Sequence, residues 1–80
     1  MKIKLSRHLR NNMRLYKMSE KDIVDAIQTP DLSDIEEHKI IAVKKFAGRF
    51  SGHPLKVVYE KTGKELFVIT AYPLKKKSWR

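Results

Sequence analysis

Apolar residues first alternate with polar ones and then recur at helical spacing along the first part of the chain. The alternation over residues 1–5, MKIKL, predicts a short β-strand. Ser6 has the side chain of a helix N-cap. The residues that share one apolar helical face are Leu5, Leu9, Met13 and Tyr16. We therefore predict an amphipathic helix near residues 6–18.

A second helix is predicted directly after the first. Ser19-Glu20-Lys21-Asp22 resembles a capping box in which Asp replaces the usual Glu. The apolar face that follows consists of Ile23, Val24 and Ile27. Pro30 stops the helix, because the residue before a proline is biased away from helical backbone angles. The pattern predicts a helix near 20–28 and then an acidic loop over residues 31–37.

The second half of the chain has the composition of β-strands. Strand-type residues fill 39–46, 55–60 and 65–72, and residues 61–64 form a tight turn between the last two. Because residues 65–72 are apolar on both alternations, we expect a central strand covered on both faces. The predicted fold is α+β, with two N-terminal helices packed on one face of a small antiparallel sheet in the order β-α-α-β-β-β.

A chain of 80 residues suffices for one domain with one modest core. We predict neither a secretory signal nor a membrane span, because no apolar run approaches the length that either needs. The absence of cysteine agrees with a reducing compartment, so a cytoplasmic location is expected. The predicted core residues are Leu9, Met13, Ile23, Ile27, Val57, Phe67 and Ile69.

Formal charge divides the chain into an acidic segment and a basic remainder. Residues 19–37 carry seven acids and one base, net −6, and the rest carries 17 bases and two acids, net +15, which together give +9. A basic body is typical of proteins that bind RNA or DNA phosphates. The acidic segment suits a basic or dipolar protein partner. An antitoxin, if there is one, is expected to approach this segment with basic residues or to cover the basic surface with its own acids. Solubility alone is the other interpretation of this charge.

The basic residues fall in three places, and we predict that they contact phosphates. On the first helix they form one stripe of Arg7, Arg10, Arg14 and Lys17. Between the strands they are Lys44, Lys45 and Arg49. The tail from Pro73 to Arg80 adds Lys75, Lys76, Lys77 and Arg80, with Trp79 available for base stacking. This tail is either a loose end or a segment that lies beside the sheet.

Catalytic candidates are few. There is no P-loop, dinucleotide-binding glycine pattern, HExxH or Cys/His zinc pattern, so we predict neither a cofactor nor a metal. Metal-free RNA cleavage needs a base, a cation for the phosphate and an acid for the leaving oxygen. The candidates for these roles are His8, Arg14, Arg49 and Tyr72. Each also has an ordinary interpretation as a helix-surface or strand-end residue.

Two stretches carry a resemblance to known proteins. SRHLRNNMRLYKMSEKDIVDAI and LKVVYEKTGKELFVITAYP resemble the opening and the closing hairpin of a small bacterial and phage domain family. That family is similar to BrnT-type toxins and to the RelE/ParE toxin superfamily. The residues that match its pattern are His8, Met13, Ser19, Thr70, Ala71 and Tyr72, whereas Asn12 and Tyr16 stand where the pattern has arginines.

The resemblance implies the same β-α-α-β-β-β fold and two different activities, since some members of the superfamily cut mRNA and others inhibit gyrase. The leading hypothesis is a nucleic-acid-binding, toxin-like, metal-independent RNA endonuclease of a toxin–antitoxin system. The alternative is a non-catalytic module of phage or plasmid origin that binds nucleic acid or targets a protein. Convergence of the four catalytic candidates on one groove would favour the first.

Overall fold

Two helices and five strands make up the part of the chain that the structure describes. The structure, a computed structural model, describes residues 2–46, 48 and 50–74. In chain order the elements are β1 (Lys2–Leu5), α1 (Arg7–Tyr16), α2 (Glu20–Gln28), β2 (Leu32–Glu36), β3 (Lys39–Lys44), a 3-10 turn (Phe50–Gly52), β4 (Leu55–Thr62) and β5 (Glu65–Pro73). The predicted α+β class and both helices are confirmed.

The segment predicted to be an acidic loop is a strand. β2 pairs antiparallel with β3 from Leu32↔Val43 to Glu36↔Lys39, so residues 37 and 38 form a two-residue turn. Glu37 has a φ of 57°, which is left-handed backbone that glycine or asparagine usually occupies in such turns. The prediction of a loop was wrong because neither residue type marks this turn in the sequence.

The sheet is mixed, whereas the pattern predicted an antiparallel one. Its strand order is β1-β5-β4-β3-β2, and β1 runs parallel to β5 while the other neighbouring pairs are antiparallel. β1 is short and pairs only with the first half of β5, from Lys2↔Glu65 to Leu5↔Val68. The hairpin between β4 and β5 and the interior position of β5 are as predicted.

Both helices pack on the same face of this sheet. α1 contacts β5, and α2 contacts β3 and β4. The largest fully buried side chains are Leu9 and Ile23 from the helices and Leu55, Val57 and Val68 from the sheet. Leu9, Ile23 and Val57 are therefore confirmed as core residues, and Met13 and Ile27 pack against the core while partly buried.

Phe67 and Ile69 were wrongly predicted to be core residues. Leu66 and Val68 point toward the helices, and Phe67, on the opposite face, is 42% exposed. A β-bulge follows, because Tyr59 pairs with Val68 and the preceding residue of β4 pairs with Thr70, which leaves Ile69 without a partner. Within the described residues β5 is thus covered on one face only, and we call the other the helix-free face.

Side-chain caps define the first residues of both helices, as the sequence predicted. The Ser6 hydroxyl oxygen accepts a hydrogen bond of 3.0 Å from the Leu9 amide. Ser19 and Asp22 form a capping box, in which each side chain accepts a hydrogen bond from the other residue's amide. α1 ends at Tyr16, earlier than predicted, because Lys17 adopts left-handed backbone with φ 58°. No helix in the described part of the chain is long and apolar enough to cross a membrane.

Replacing Ile23 by Ala should lower the free energy of unfolding by about 2–5 kcal/mol, because Ile23 is fully buried beneath the sheet face. The matched control is Ile35→Ala on β2, where the side chain is 68% exposed and a change within about 0.5 kcal/mol is expected. Urea unfolding followed by circular dichroism measures both, and equal losses would contradict this packing.

Candidate nucleic-acid interface

The solvent side of α1 carries positive charge without any counter-charge on the same helix. Arg7, Arg10 and Arg14 lie within one narrow stripe at 100° per residue, and α1 has no acidic residue. Lys17 follows directly at the helix C-cap. All four are exposed. We call these four residues the basic face.

The cations of the basic face are not neutralised within the described part of the chain. The ion pairs found there join Lys4 to Glu65 and Lys21 to Asp25, and neither involves the basic face. Arg10 and Arg14 border a shallow depression that is also lined by the apolar side chains of Leu5, Met13 and Met18 and by Glu20 at the start of α2. The arginine stems can thus lie on apolar surface while the guanidinium groups stay in water, free to pair with anions.

The opposite side of α1 is tied to the edge of β5. Because β1 ends at Leu5, the backbone of β5 beyond Val68 has no neighbouring strand on that side. The Ser6 hydroxyl donates to the Ile69 carbonyl at 2.5 Å. The Asn12 side-chain amide donates to the Ala71 carbonyl at 3.1 Å and lies 3.5 Å from the Thr70 hydroxyl. We call this contact the helix–strand junction.

His8 and Tyr72 are close in sequence to the two residues that form the helix–strand junction. His8 is exposed and lies one helical turn before Asn12 on α1. Tyr72 follows Ala71 on β5, is half-buried, and has the Lys56 ammonium 5.7 Å from its ring centroid. Lys56 is its cross-strand partner on β4. Because Val57 and Ala71 are buried beneath the helices, Lys56 and Tyr72, which alternate with them along the strands, lie on the helix-free face, whereas His8 lies on α1.

Arg14 lies on another side of α1. It is two residues from Asn12, so the two side chains leave the helix roughly 200° apart. Arg14 borders the depression with Arg10 and does not contact the helix–strand junction. Arg49 lies outside the described residues. The described residues therefore do not bring the four catalytic candidates into one groove.

Two of the other predicted phosphate-binding residues, Lys44 and Lys45, lie at the end of β3 and directly after it. The Lys44 ammonium donates to the Thr29 carbonyl at 3.0 Å and lies 6.0 Å from the Phe46 ring centroid. The Lys45 backbone amide donates to the Asp31 carboxylate at 2.7 Å. These contacts hold the connection from α2 to β2 against β3. Outside the described residues lie Lys75, Lys76, Lys77, Trp79 and Arg80.

Two residues next to the predicted site residues, Asn12 and Lys56, were not predicted to belong to a site. Asn12 has the i, i+4 spacing from His8, and Lys56 is the cross-strand neighbour of Tyr72 in the predicted hairpin, so both signals were present. Among the described residues there is no group of three or more His, Asp or Glu side chains that could hold a metal ion.

The chain belongs to the family described as "Domain of unknown function (DUF4258)", whose profile matches residues 5–73. The match spans the elements from the end of β1 to the end of β5 and so includes both the basic face and the helix–strand junction. Comparison with curated proteins and with solved structures finds no match.

Replacing Asn12 by Ala should lower the free energy of unfolding by about 1 kcal/mol, because the Ala71 carbonyl loses its side-chain donor at the edge of β5. Asn11→Ala is the matched control, since Asn11 is exposed and makes no side-chain hydrogen bond in the described part of the chain. Chemical denaturation of both variants measures the difference. Equal stability would mean that Asn12 does not hold α1 to β5.

Proposed function

We propose that this protein binds the phosphate backbone of a nucleic acid through the basic face of α1. The observation that carries the proposal is the row of exposed, unpaired cations on a helix without acids. Four such groups on a rigid element match repeated phosphates better than they match a single small anion. The net charge of +9 favours association with any polyanion.

The salt dependence of binding tests this proposal. If the four cations of the basic face each meet one phosphate, log affinity for a single strand should fall with log salt with a slope of about −2.8. The triple variant Arg7→Gln, Arg10→Gln, Arg14→Gln should flatten this slope by about 2. Fluorescence anisotropy with a short labelled single-stranded RNA at several salt concentrations is the measurement.

A control variant separates the basic face from net charge alone. The triple variant Lys21→Gln, Lys39→Gln, Lys64→Gln also removes three positive charges, and its sites are exposed and lie on α2, β3 and the β4–β5 turn. It should keep most of the original slope. The same flattening in both triple variants, or no binding by the unaltered chain at low salt, would contradict the proposal.

Cleavage of the bound strand is a second, narrower proposal, and it rests on the exposed His8 one helical turn before Asn12 and on Tyr72 next to Ala71, because Asn12 and Ala71 are joined by a hydrogen bond. In this mechanism His8 takes the proton of a ribose 2′-hydroxyl as its oxygen bonds to the adjacent phosphorus. The bond from phosphorus to the 5′-oxygen breaks, and Tyr72 protonates that oxygen. The products are a 2′,3′-cyclic phosphate and a 5′-hydroxyl.

The role of the remaining candidates follows from their positions. Arg14, on the basic face, binds a neighbouring phosphate in this proposal and does not touch the reacting atoms. The toxin-like role and the antitoxin partner stay proposals that rest on the resemblance and on the acidic segment over residues 19–37. The acids of that segment lie on α2, on β2 and on the turns that flank β2, and Glu20 at the start of α2 lines the same depression as Arg10 and Arg14 of the basic face.

His8→Ala should slow cleavage of a labelled RNA by about a hundredfold or more, because a positioned general base contributes about that much. Excess EDTA should leave the rate unchanged, and a substrate with a deoxyribose at the cleaved position should be inert. His38→Ala is the matched control, since His38 is exposed in the turn between β2 and β3. An equal effect in both variants, or an intact RNA with the unaltered chain, would contradict cleavage.

A further inference from the structure

A groove of about 370 Å³ opens on the helix-covered side of the sheet and shares no residue with the basic face. It exists because α1 lies against the second half of β5 and α2 lies over β3 and β4, so β1 and the first half of β5 are incompletely covered. The lining residues are Ile3, Val24, Ile27, Gln28, Tyr59, Lys61 and Leu66. The volume falls within the range of about 300–1,000 Å³ that small-ligand pockets occupy.

The apolar part of the groove is formed from three elements of the fold. Ile3 on β1 and Leu66 on β5 are cross-strand partners in the parallel pair, so their side chains lie side by side on the same face. Val24 and Ile27 contribute the wall from α2, at the three-residue spacing that puts them on one helical face. These surfaces favour an aliphatic chain by removing it from water.

The polar part of the groove presents donors and a positive charge. Tyr59 and Lys61 are alternate residues of β4, so they lie on one face and are separated by roughly 7 Å. The Tyr59 hydroxyl has no hydrogen-bond partner within the described residues, although Tyr59 is only 8% exposed. The Lys61 ammonium makes no ion pair there. Among the described residues, no Asp or Glu lines the groove.

The Tyr59 hydroxyl is a donor at every ordinary pH. Burial raises the pKa of Tyr59 above its usual value of 10.0, because desolvation disfavours the phenolate. Since no buried side-chain oxygen among the described residues lacks a hydrogen-bond partner, the Tyr59 hydroxyl is open to the groove, where it can donate to a bound acceptor. The same acceptor would meet the positive charge of Lys61, so an anion fits where a cation would be repelled.

We propose that this groove binds a small aliphatic carboxylate. The carboxylate accepts a hydrogen bond from the Tyr59 hydroxyl and pairs with the Lys61 ammonium. The aliphatic part of the ligand lies against Ile3, Leu66 and Ile27. This site is independent of the nucleic-acid proposal, because none of its residues belongs to the basic face or to the helix–strand junction.

Titrations with hexanoate, heptanoate and octanoate, followed by amide chemical shifts of the full chain, test the proposal. The shifts should centre on Ile3, Ile27 and Lys61, and affinity should rise about fourfold per methylene group, because each buried methylene contributes about 0.8 kcal/mol. Octylammonium, which has the same chain and the opposite charge, should bind more weakly than octanoate. Equal binding of the two, or shifts centred on Phe67 of the helix-free face, would overturn the proposal.

Two variants with matched controls test the polar contacts. Tyr59→Phe keeps the ring and should weaken octanoate binding about tenfold, because a hydrogen bond to a charged group is lost. Tyr16→Phe, outside the groove, should not. Lys61→Gln should weaken binding by up to about fivefold, whereas Lys64→Gln in the adjacent turn should leave it unchanged. Full octanoate affinity in both Tyr59→Phe and Lys61→Gln would overturn the proposal.

Discussion

The second half of β5 has a neighbouring strand on one side only, and its other edge is the constraint on which the rest of this fold depends. β1 has four residues and pairs with β5 only as far as Val68. Backbone polar groups left without partners at a partly buried edge are costly, so something other than a strand must satisfy them. Ser6 and Asn12 do so by donating to the Ile69 and Ala71 carbonyls, and Pro73 ends the strand with a residue that has no amide hydrogen to satisfy.

These two side chains also fix how α1 is rotated about its own axis. With Asn12 directed at β5, Arg10 and Arg14, which are two positions away, leave the helix roughly 160° from it at 100° per residue. Arg7, five positions away, leaves it roughly 140° from Asn12, so all three arginines point to solvent. The basic face therefore results from the same contacts that satisfy the edge of β5, and its cations are carried by an element held in place before any partner binds.

Sequence reasoning succeeded where the local signals were specific and failed where tertiary structure decided between equivalent patterns. Ser6, Ser19 and Asp22 are caps whose chemistry marks a helix end by itself. β5 offered two apolar sets, so alternation did not say that Leu66 and Val68 face the helices, and the bulge at Ile69 has no sequence mark. At the site, the four-residue spacing from His8 to Asn12 was visible in the sequence. That Asn12 donates a hydrogen bond to β5 could not be predicted, because it depends on which strand α1 packs against.

The separation of charge across the fold bears on how a polyanion would approach. The basic face lies on the helix that packs against β5, and Glu20 at the start of α2 lines the depression beside it. The other acidic residues over 19–37 lie further along α2, on β2 and on the connections beside them, with β2 at the far edge of the sheet from β1. A charge distribution of this kind orients an anionic partner before contact, because the acidic edge repels what the basic face attracts. Since α1 is already immobilised by its buried contacts, phosphate binding there would not have to order the helix, which reduces the entropic cost of association.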